Sequence, residues 1–472
     1  MRDTFTLYLR IFRDADGALI GAFRNPEMNF RAGAAQFHVT QMRGTVSFTA
    51  DPAHPDKALS AIYDAKDATL QIRFPGLDQT FVLKHATPAQ ASGFFPRPPG
   101  SPPYVYRAPQ SVDDGWAVAR ARDVGFDEAK LASLVQSIID VDPAAKRPDL
   151  IDALLIARHG KLVLDEYFEG NDRDRQHDLR SAGKTFSSVM LGALMHEGAA
   201  ISPDTHLYPL LAGMGPFSNP DPRKDQITLG QLMTHTSGLA CDDNDDASPG
   251  NEDTLQSQRK ERNWWKYTLD LPMAHDPGTR YAYCSAGMNL MGAALTAAAQ
   301  ESLPELFDRT VARPLAWGPY YWNAMPNGQG YLGGGSFVRP RDLLKLGQAY
   351  LDGGVWNGHR IVDASWVTRS TKSYVAIQPS TTGLSPDQFQ NFYVPAEDGY
   401  AWHLAVLHAP GRDYRAYGAS GNGGQLLIVV PELDLTVVFT GSNYQQGLIW
   451  NPWRDRIIPT EIIPAISDLA VR

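Results

Sequence analysis

Cysteine is nearly missing. Cys241 and Cys284 are the only two in 472 residues, too few for a disulfide framework, and their usage leaves the compartment open. No apolar run reaches the ~18–20 residues that a membrane-spanning helix needs, so no transmembrane segment is expected. Positive charge is also short: 43 Lys and Arg face 52 Asp and Glu, a formal net charge of −9. Nucleic acid, which requires a basic face, is therefore not an expected partner. The N-terminus, Met1 to Phe12, alternates like a strand and lacks the apolar block of a secretory leader. The expectation is a cytoplasmic protein as written, or a periplasmic or secreted one whose leader has been removed. No Gly-x-Ser-x-Gly elbow occurs, which argues against an α/β-hydrolase fold, and no internal repeat is found.

What is there is an ordinary globular composition, 43% apolar and 20% charged, in a chain long enough for two or three domains. Residues 1–95 read as a small all-β domain. Its strands are Phe5 to Phe12, Leu19 to Phe23, Gln36 to Val39, Gly44 to Phe48, Ala68 to Phe74 and Thr80 to Lys84. A proline-rich stretch from Phe95 to Pro103, biased to extended backbone, marks a linker over 96–110. In 111–472, Asp127 to Ile139 has helical spacing, and Ile151 to Ala157 with Lys161 to Phe168 forms an apolar hairpin around His159-Gly160. Gln425 to Val430 and Leu433 to Phe439 form a second. Helical segments lie between them at Leu229 to His235, Met288 to Ala299 and Arg341 to Leu351. Strands at both ends and helices in the middle predict an α+β domain with a helical insertion at about 200–325.

The sharpest chemical signal is Ser181-Ala182-Gly183-Lys184, at the head of an apolar run from Thr185 to Glu197 that Gly198 closes as a helix C-cap. Residues three apart on a helix share a face, so the lysine amine can reach the serine oxygen. A desolvated lysine with its pKa lowered toward ~7–8 could take the serine proton and make it a nucleophile. A second match, Ser257-Gln258-Arg259-Lys260, sits among charged residues with nothing to bury the lysine, and reads as solvated surface. Downstream, Pro277-Gly278 leads through a constrained loop to Tyr283-Cys284-Ser285 and then an apolar helix. The small residues of Tyr417 to Gly424 would let a substrate approach backbone N–H groups closely.

In this order the motifs resemble the serine hydrolases of the class C β-lactamase type, which include penicillin-binding D-alanyl peptidases, esterases and 6-aminohexanoate-dimer hydrolases. The resemblance spans about 110–465. It rests on Ser181-x-x-Lys184, Thr234-His235-Thr236-Ser237-Gly238-Leu239, and Pro277-Gly278 before Tyr283-x-Ser285. Gly333-Gly334-Gly335-Ser336 before Arg341-Asp342-Leu343, Tyr400-x-Trp402, and Gly421-x-Gly423-Gly424-Gln425 add to it. It implies an antiparallel sheet flanked by helices with a helical subdomain, the site lying in the cleft, here preceded by the small β domain. It also implies Ser181 as nucleophile, Lys184 as general base and Tyr283 as the second proton relay, with the backbone N–H groups of Ser181 and Asn422 as oxyanion hole. Ser285, Ser420, Gly421, Tyr400 and Trp402 would line the substrate, a small ester or amide, and no cofactor is implied. Two departures bear on the substrate: the family's Tyr-x-Asn is here Tyr283-Cys284-Ser285, and its Lys-Thr-Gly or His-Thr-Gly is Ala419-Ser420-Gly421. Alanine supplies no cation for a substrate carboxylate, so esters or amides lacking one are favoured over β-lactams.

Other readings stand beside this one. A D-alanyl peptidase, a D-amino-acid amidase or a weak β-lactamase would use the same scaffold, and a non-catalytic ligand-binding protein could also be built on it. Tyr283, Tyr400 and Trp402 are alternatively core aromatics, Cys284 reads as a small buried filler, and His235 as structural. Asp242, Asn244 and Asp246 match the first ligand positions of an EF-hand, but Ala247 replaces the turn glycine and Asp253 the terminal glutamate, so no metal is expected. The stretch from Cys241 to Trp265 reads either as a lid carrying Trp264 and Trp265 over the cleft or as a surface loop with two core tryptophans. Oligomeric state is left open.

Overall fold

Alternation of apolar and polar residues builds the first sheet. In the computed structural model, which describes residues 7–25, 36–74, 79–145, 149–444 and 447–469, seven strands form an antiparallel meander. They are β1 (Tyr8–Arg13), β2 (Leu19–Arg24), β3 (Gln36–Met42), β4 (Thr45–Thr49), β5 (Leu59–Asp64), β6 (Thr69–Arg73) and β7 (Thr80–Lys84), each paired with the next. Phe23, Val39, Phe48, Ala61 and Ile72 point to one side and form its apolar core. Phe5 and Thr6, expected to begin the first strand, lie outside the described residues. β5 was not anticipated, because Leu59-Ser60-Ala61-Ile62-Tyr63-Asp64 has only a short alternating run between charged turns.

The proline-rich stretch docks along the next sheet. Tyr104 Oη donates to Glu166 Oε1 at 2.7 Å and Tyr106 Oη to the Val163 carbonyl at 2.8 Å, while Arg97 pairs with Glu166. A buried Arg24–Glu169 ion pair joins the first sheet to the second.

That second sheet has nine strands: β8 (Ala117–Val118), β9 (Ala153–Arg158), β10 (Lys161–Tyr167), β11 (Val375–Ile377), β12 (Ala396–Asp398), β13 (His403–Ala409), β14 (Arg412–Gly421), β15 (Gln425–Val430) and β16 (Leu435–Thr440). Their order is β11-β12-β13-β14-β15-β16-β9-β10-β8, antiparallel except for the β10–β8 pair. Both expected hairpins form, and β16 pairs with β9, so the two ends of this region close one sheet. All six residues of β9, β15 and β16 are buried, because helices cover both faces. Leu155, Ala157, Leu427, Val429 and Val438 face α2 (Thr185–His196), α3 (Ser285–Ala299) and α4 (Pro340–Leu351). Leu154, Ile156, Leu426, Ile428 and Phe439 face α1 (Glu128–Ile139) and the C-terminal helical turns. Two-sided burial explains why these strands read as continuous apolar runs. The architecture is α+β, with short helices such as Leu229–Met233, Glu252–Ser257 and Trp264–Leu269 inserted beside the sheet.

α2 is buried along nearly its whole length, from Thr185 to Leu194, and Gly198 at φ +83° follows its end. Gly192 lets it approach Trp366 closely: a Cβ there would stand 2.1 Å from Trp366 Cδ1. The same indole donates Nε1–H to the Ser188 carbonyl at 3.0 Å. Gly192→Ala must displace that ring, and overpacking of this kind costs about 1–3 kcal/mol. A urea unfolding midpoint below that of the wild type is expected, and an unchanged or higher midpoint would contradict this packing.

Candidate active site

Ser181 lies in the tight turn Arg180–Lys184 that runs into α2. Arg180 enters at φ +47°, and its N–H is held by Asp178 Oδ1 at 3.0 Å. Lys184 is 5% exposed, and its Nζ donates to Ser181 Oγ at 3.0 Å and to the Gly333 carbonyl at 2.5 Å. The glycine run makes that second contact possible. Gly334 and Gly335 have φ +141° and +75°, and a Cβ on Gly334 would stand 3.0 Å from the Arg180 carbonyl. The backbone of 333–335 is thereby pressed against the serine turn.

Tyr283 stands on the other side of the amine, its ring centroid 5.0 Å from Lys184 Nζ. The loop carrying it is clamped at several points. His235, at φ +55°, places its ring 4.5 Å from the Tyr283 ring, accepts the Ala282 N–H on its carbonyl at 2.9 Å and the Cys284 N–H on Nδ1 at 3.1 Å. An accepting Nδ1 means a neutral ring protonated at Nε2, and burial together with nearby Lys184 holds the His235 pKa well below its ordinary value. Asp243 donates its N–H to the Tyr283 carbonyl at 2.8 Å and accepts the Ser285 N–H on Oδ2 at 2.8 Å. Cys241 and Cys284 form a disulfide with Cα atoms 5.4 Å apart. This corrects the reading of Cys284 as a filler: the chain folds back over a separation of 43 residues to bring the pair together, a pairing that cysteine count alone could not reveal.

The electrostatics also correct an expectation. Burial by itself lowers the Lys184 pKa, but its interactions with Tyr283, Glu252 and Asp243 outweigh it, and the net direction is upward. The amine is an ammonium in the resting site, donating to Ser181. Asp243 shares the balance: burial and neighbouring Glu252 push its carboxyl up to about 6.

Ser181, Lys184, Tyr283, Ser420 and Trp402 line one cleft. Gly421 lies behind it, where a Cβ would stand 2.1 Å from the Leu179 carbonyl and 3.0 Å from the Ala182 nitrogen, so the end of β14 abuts the serine turn. Asn422 follows it, exposed, and Ser285 is buried at the start of α3. Tyr400 does not line the cleft: it stacks on Tyr374 at 4.0 Å and on Trp366 at 6.0 Å. Among the cleft residues that sequence reasoning missed are Asp398 and His403, whose Oδ1 and Nδ1 are 2.7 Å apart. They flank Tyr400 and Trp402, and only the pairing of β12 with β13 brings them together.

The acidic loop turns its oxygens onto its own backbone. Asp242 Oδ1 accepts the Asn244 N–H and Asp245 Oδ1 the Ala247 N–H, both at 2.9 Å. Among the described residues no His, Cys, Asp and Glu cluster is arranged to hold a metal, and no helix is long and apolar enough to cross a membrane. Ser257 and Lys260 are exposed. Trp264 and Trp265 are core residues, 9% and 6% exposed, with Trp264 edge-on to Tyr331; they are no part of a lid over the cleft.

Known proteins resemble this chain in sequence and fold. The Beta-lactamase family profile matches residues 146–446. A 6-aminohexanoate-dimer hydrolase from Paenarthrobacter ureafaciens is 25% identical over 289 residues, 53% of this chain and 68% of that protein. Among solved structures, one assigned as a 6-aminohexanoate-dimer hydrolase from Bacillus anthracis superposes with TM-score 0.52 at 17% identity, covering 73% of this chain and 84% of that one. A hydrolase with promiscuous acyltransferase activity superposes with TM-score 0.50 at 15% identity, covering 67% and 94%. These two share the fold.

The charge balance makes a pH prediction. Only neutral Lys184 can accept the Ser181 proton, so labelling of Ser181 by a fluorophosphonate should accelerate as pH rises. Asp243→Asn keeps an acceptor for the Ser285 N–H but removes a charge that holds Lys184 protonated. The rising limb of the labelling rate should then move to lower pH, and a limb that stays in place or moves upward would contradict the assignment.

Proposed function

The chain belongs to the beta-lactamase family of serine hydrolases, and from that premise we propose that it cleaves small carboxylic esters or amides through an acyl-enzyme, without a cofactor. The observation that carries this reading is the 3.0 Å contact between Ser181 Oγ and a buried Lys184 Nζ, with Tyr283 beside the same amine. Ser181 Oγ attacks the carbonyl carbon once Lys184 has lost its resting proton, and the serine proton passes to Nζ. The developing oxyanion takes hydrogen bonds from the Ser181 and Asn422 backbone N–H groups. Collapse breaks the bond to the alcohol or amine, which receives a proton through Tyr283, and leaves the acyl group on Ser181. Water then attacks the acyl carbon, giving up its proton to the same relay, and releases the acid with the serine hydroxyl restored. The relative named a 6-aminohexanoate-dimer hydrolase supports keeping amides beside esters.

The protein divides, in this proposal, into a β unit over 1–95, a linker over 96–110 and the hydrolase over 111–472. The Arg24–Glu169 pair and the docked linker support reading the β unit as packed onto the hydrolase.

Removing the nucleophile of such a unit costs on the order of 10⁶ in kcat. Ser181→Ala should abolish hydrolysis of p-nitrophenyl butyrate while leaving the circular dichroism spectrum unchanged. Lys184→Ala and Tyr283→Phe should each be severe, and Lys260→Ala should change nothing. Turnover that survives Ser181→Ala, or falls with Lys260→Ala, would refute the proposal.

A further inference from the structure

The first sheet is filled at one end and open at the other. Antiparallel order places the ends of β2, β4 and β6 beside the starts of β3, β5 and β7, and inward-facing phenylalanines meet there. Phe23 lies edge-on to Phe37, Phe48 and Phe74, and Phe74 to Phe81, with ring centroids 5.1–5.6 Å apart. At the opposite end the inward positions carry aliphatic side chains, Leu9, Leu19, Val46, Leu70 and Leu83, with Tyr63 as the one ring. Leu9, Leu19, Tyr63 and Leu83 point inward and yet are only half-buried. They line a cavity of about 750 Å³ that none of the phenylalanines of the filled end reaches.

β1 and β7 are the two edges of this sheet and do not pair with each other, yet Leu9 and Leu83 line the same cavity. The sheet is therefore curled until its first and last strands flank one space. A sheet of about this many strands, closed on itself, encloses room for its own side chains or for one small ligand. Protein interiors are otherwise close-packed, with few voids larger than a water molecule. A cavity of this volume falls within the ~300–1,000 Å³ of small-molecule sites. Phe94 and Phe95, from the segment after β7, close it on a further side, and Tyr8 Oη fastens that segment by donating to the Gln90 carbonyl at 2.9 Å.

Charge in the lining has one sign. Among the described residues around this cavity there is no Asp or Glu, although the chain as a whole carries a net charge of −9. Arg10 and Lys84 are both present. Arg10 is already engaged, its guanidinium 2.8 Å from Asp142 and stacked over the Phe12 and Phe95 rings. Lys84, exposed at the end of β7, enters no ion pair among the described residues. An uncompensated ammonium at the mouth attracts an anionic head, while aliphatic walls take an apolar tail out of water.

We propose that the open end of the first sheet binds a long-chain aliphatic carboxylate, its chain lying against Leu9, Leu19, Leu70 and Leu83 and its head held at the mouth by Lys84. This site is independent of the hydrolase reading and stands or falls without it.

Titration of the full chain with decanoate, followed by calorimetry, should show binding, and decanol should bind roughly 5-fold more weakly for want of the charged head. Leu83→Trp puts an indole into the cavity and should weaken decanoate by about 10-fold or more. Lys84→Glu should weaken it roughly 5-fold and abolish the preference over decanol. Both variants should keep the circular dichroism spectrum of the wild type. Undiminished decanoate binding by either folded variant, equal affinity of the wild type for decanol, or no binding at all would overturn the inference. A diazirine-bearing decanoate photolysed with the wild-type chain tests the site without any substitution. Its adducts should map to β1, β7 or residues 85–95 and disappear with excess decanoate, whereas adducts confined to the cleft around Ser181 would overturn the site.

Discussion

Burying a lysine amine is expensive unless hydrogen bonds and neighbouring charge offset the lost water. Lys184 is 5% exposed, and much of the surrounding structure serves to satisfy it. Ser181 Oγ and the Gly333 carbonyl accept its protons, the Tyr283 ring faces it, and Asp243 and Glu252 supply negative charge from behind. Each partner comes from a different part of the chain. A glycine run must reach left-handed backbone angles to bring one carbonyl to Nζ, and a loop some hundred residues after the serine must be held rigid to bring one phenol.

That rigidity has an identifiable source. Residues 282–285 are tied to His235 by two hydrogen bonds, to Asp243 by two more and to Cys241 by a disulfide. Restraints on consecutive residues leave the tyrosine little freedom, which suits a group that must pass a proton over a short distance. The same loop explains the unusual charge of the site. Asp243 holds the Ser285 N–H and, with Tyr283 and Glu252, raises the Lys184 pKa, so one side chain contributes both to positioning and to proton affinity.

Much of this was legible in the sequence where the signal is local. The Ser-x-x-Lys spacing and the apolar run behind it located the turn and α2, and the two apolar hairpins located the centre of the sheet, because two-sided burial writes itself as unbroken hydrophobic runs. The charged setting of Ser257 and Lys260 identified that copy as surface. What escaped depends on contacts between distant segments. The direction of the Lys184 shift is decided by Tyr283, Glu252 and Asp243, roughly 60–100 residues away in sequence, and the disulfide by a fold-back of 43 residues, while the Asp398–His403 pair, five residues apart, is set by the register of a hairpin. Tyr400 illustrates the converse: the motif that drew attention to it is real, but stacking on Tyr374 and Trp366 gives the ring a packing role outside the cleft.

The central claim is that an acyl group passes through Ser181. It is tested most directly by acid-quenching the wild-type protein during turnover of an activated ester and mapping the peptides by mass spectrometry. The account predicts a peptide containing Ser181 heavier by the mass of the acyl group, with the modification lost as substrate is exhausted. Steady turnover with an acyl group on another residue, or with no acylated peptide under conditions where deacylation is slowed, would contradict it.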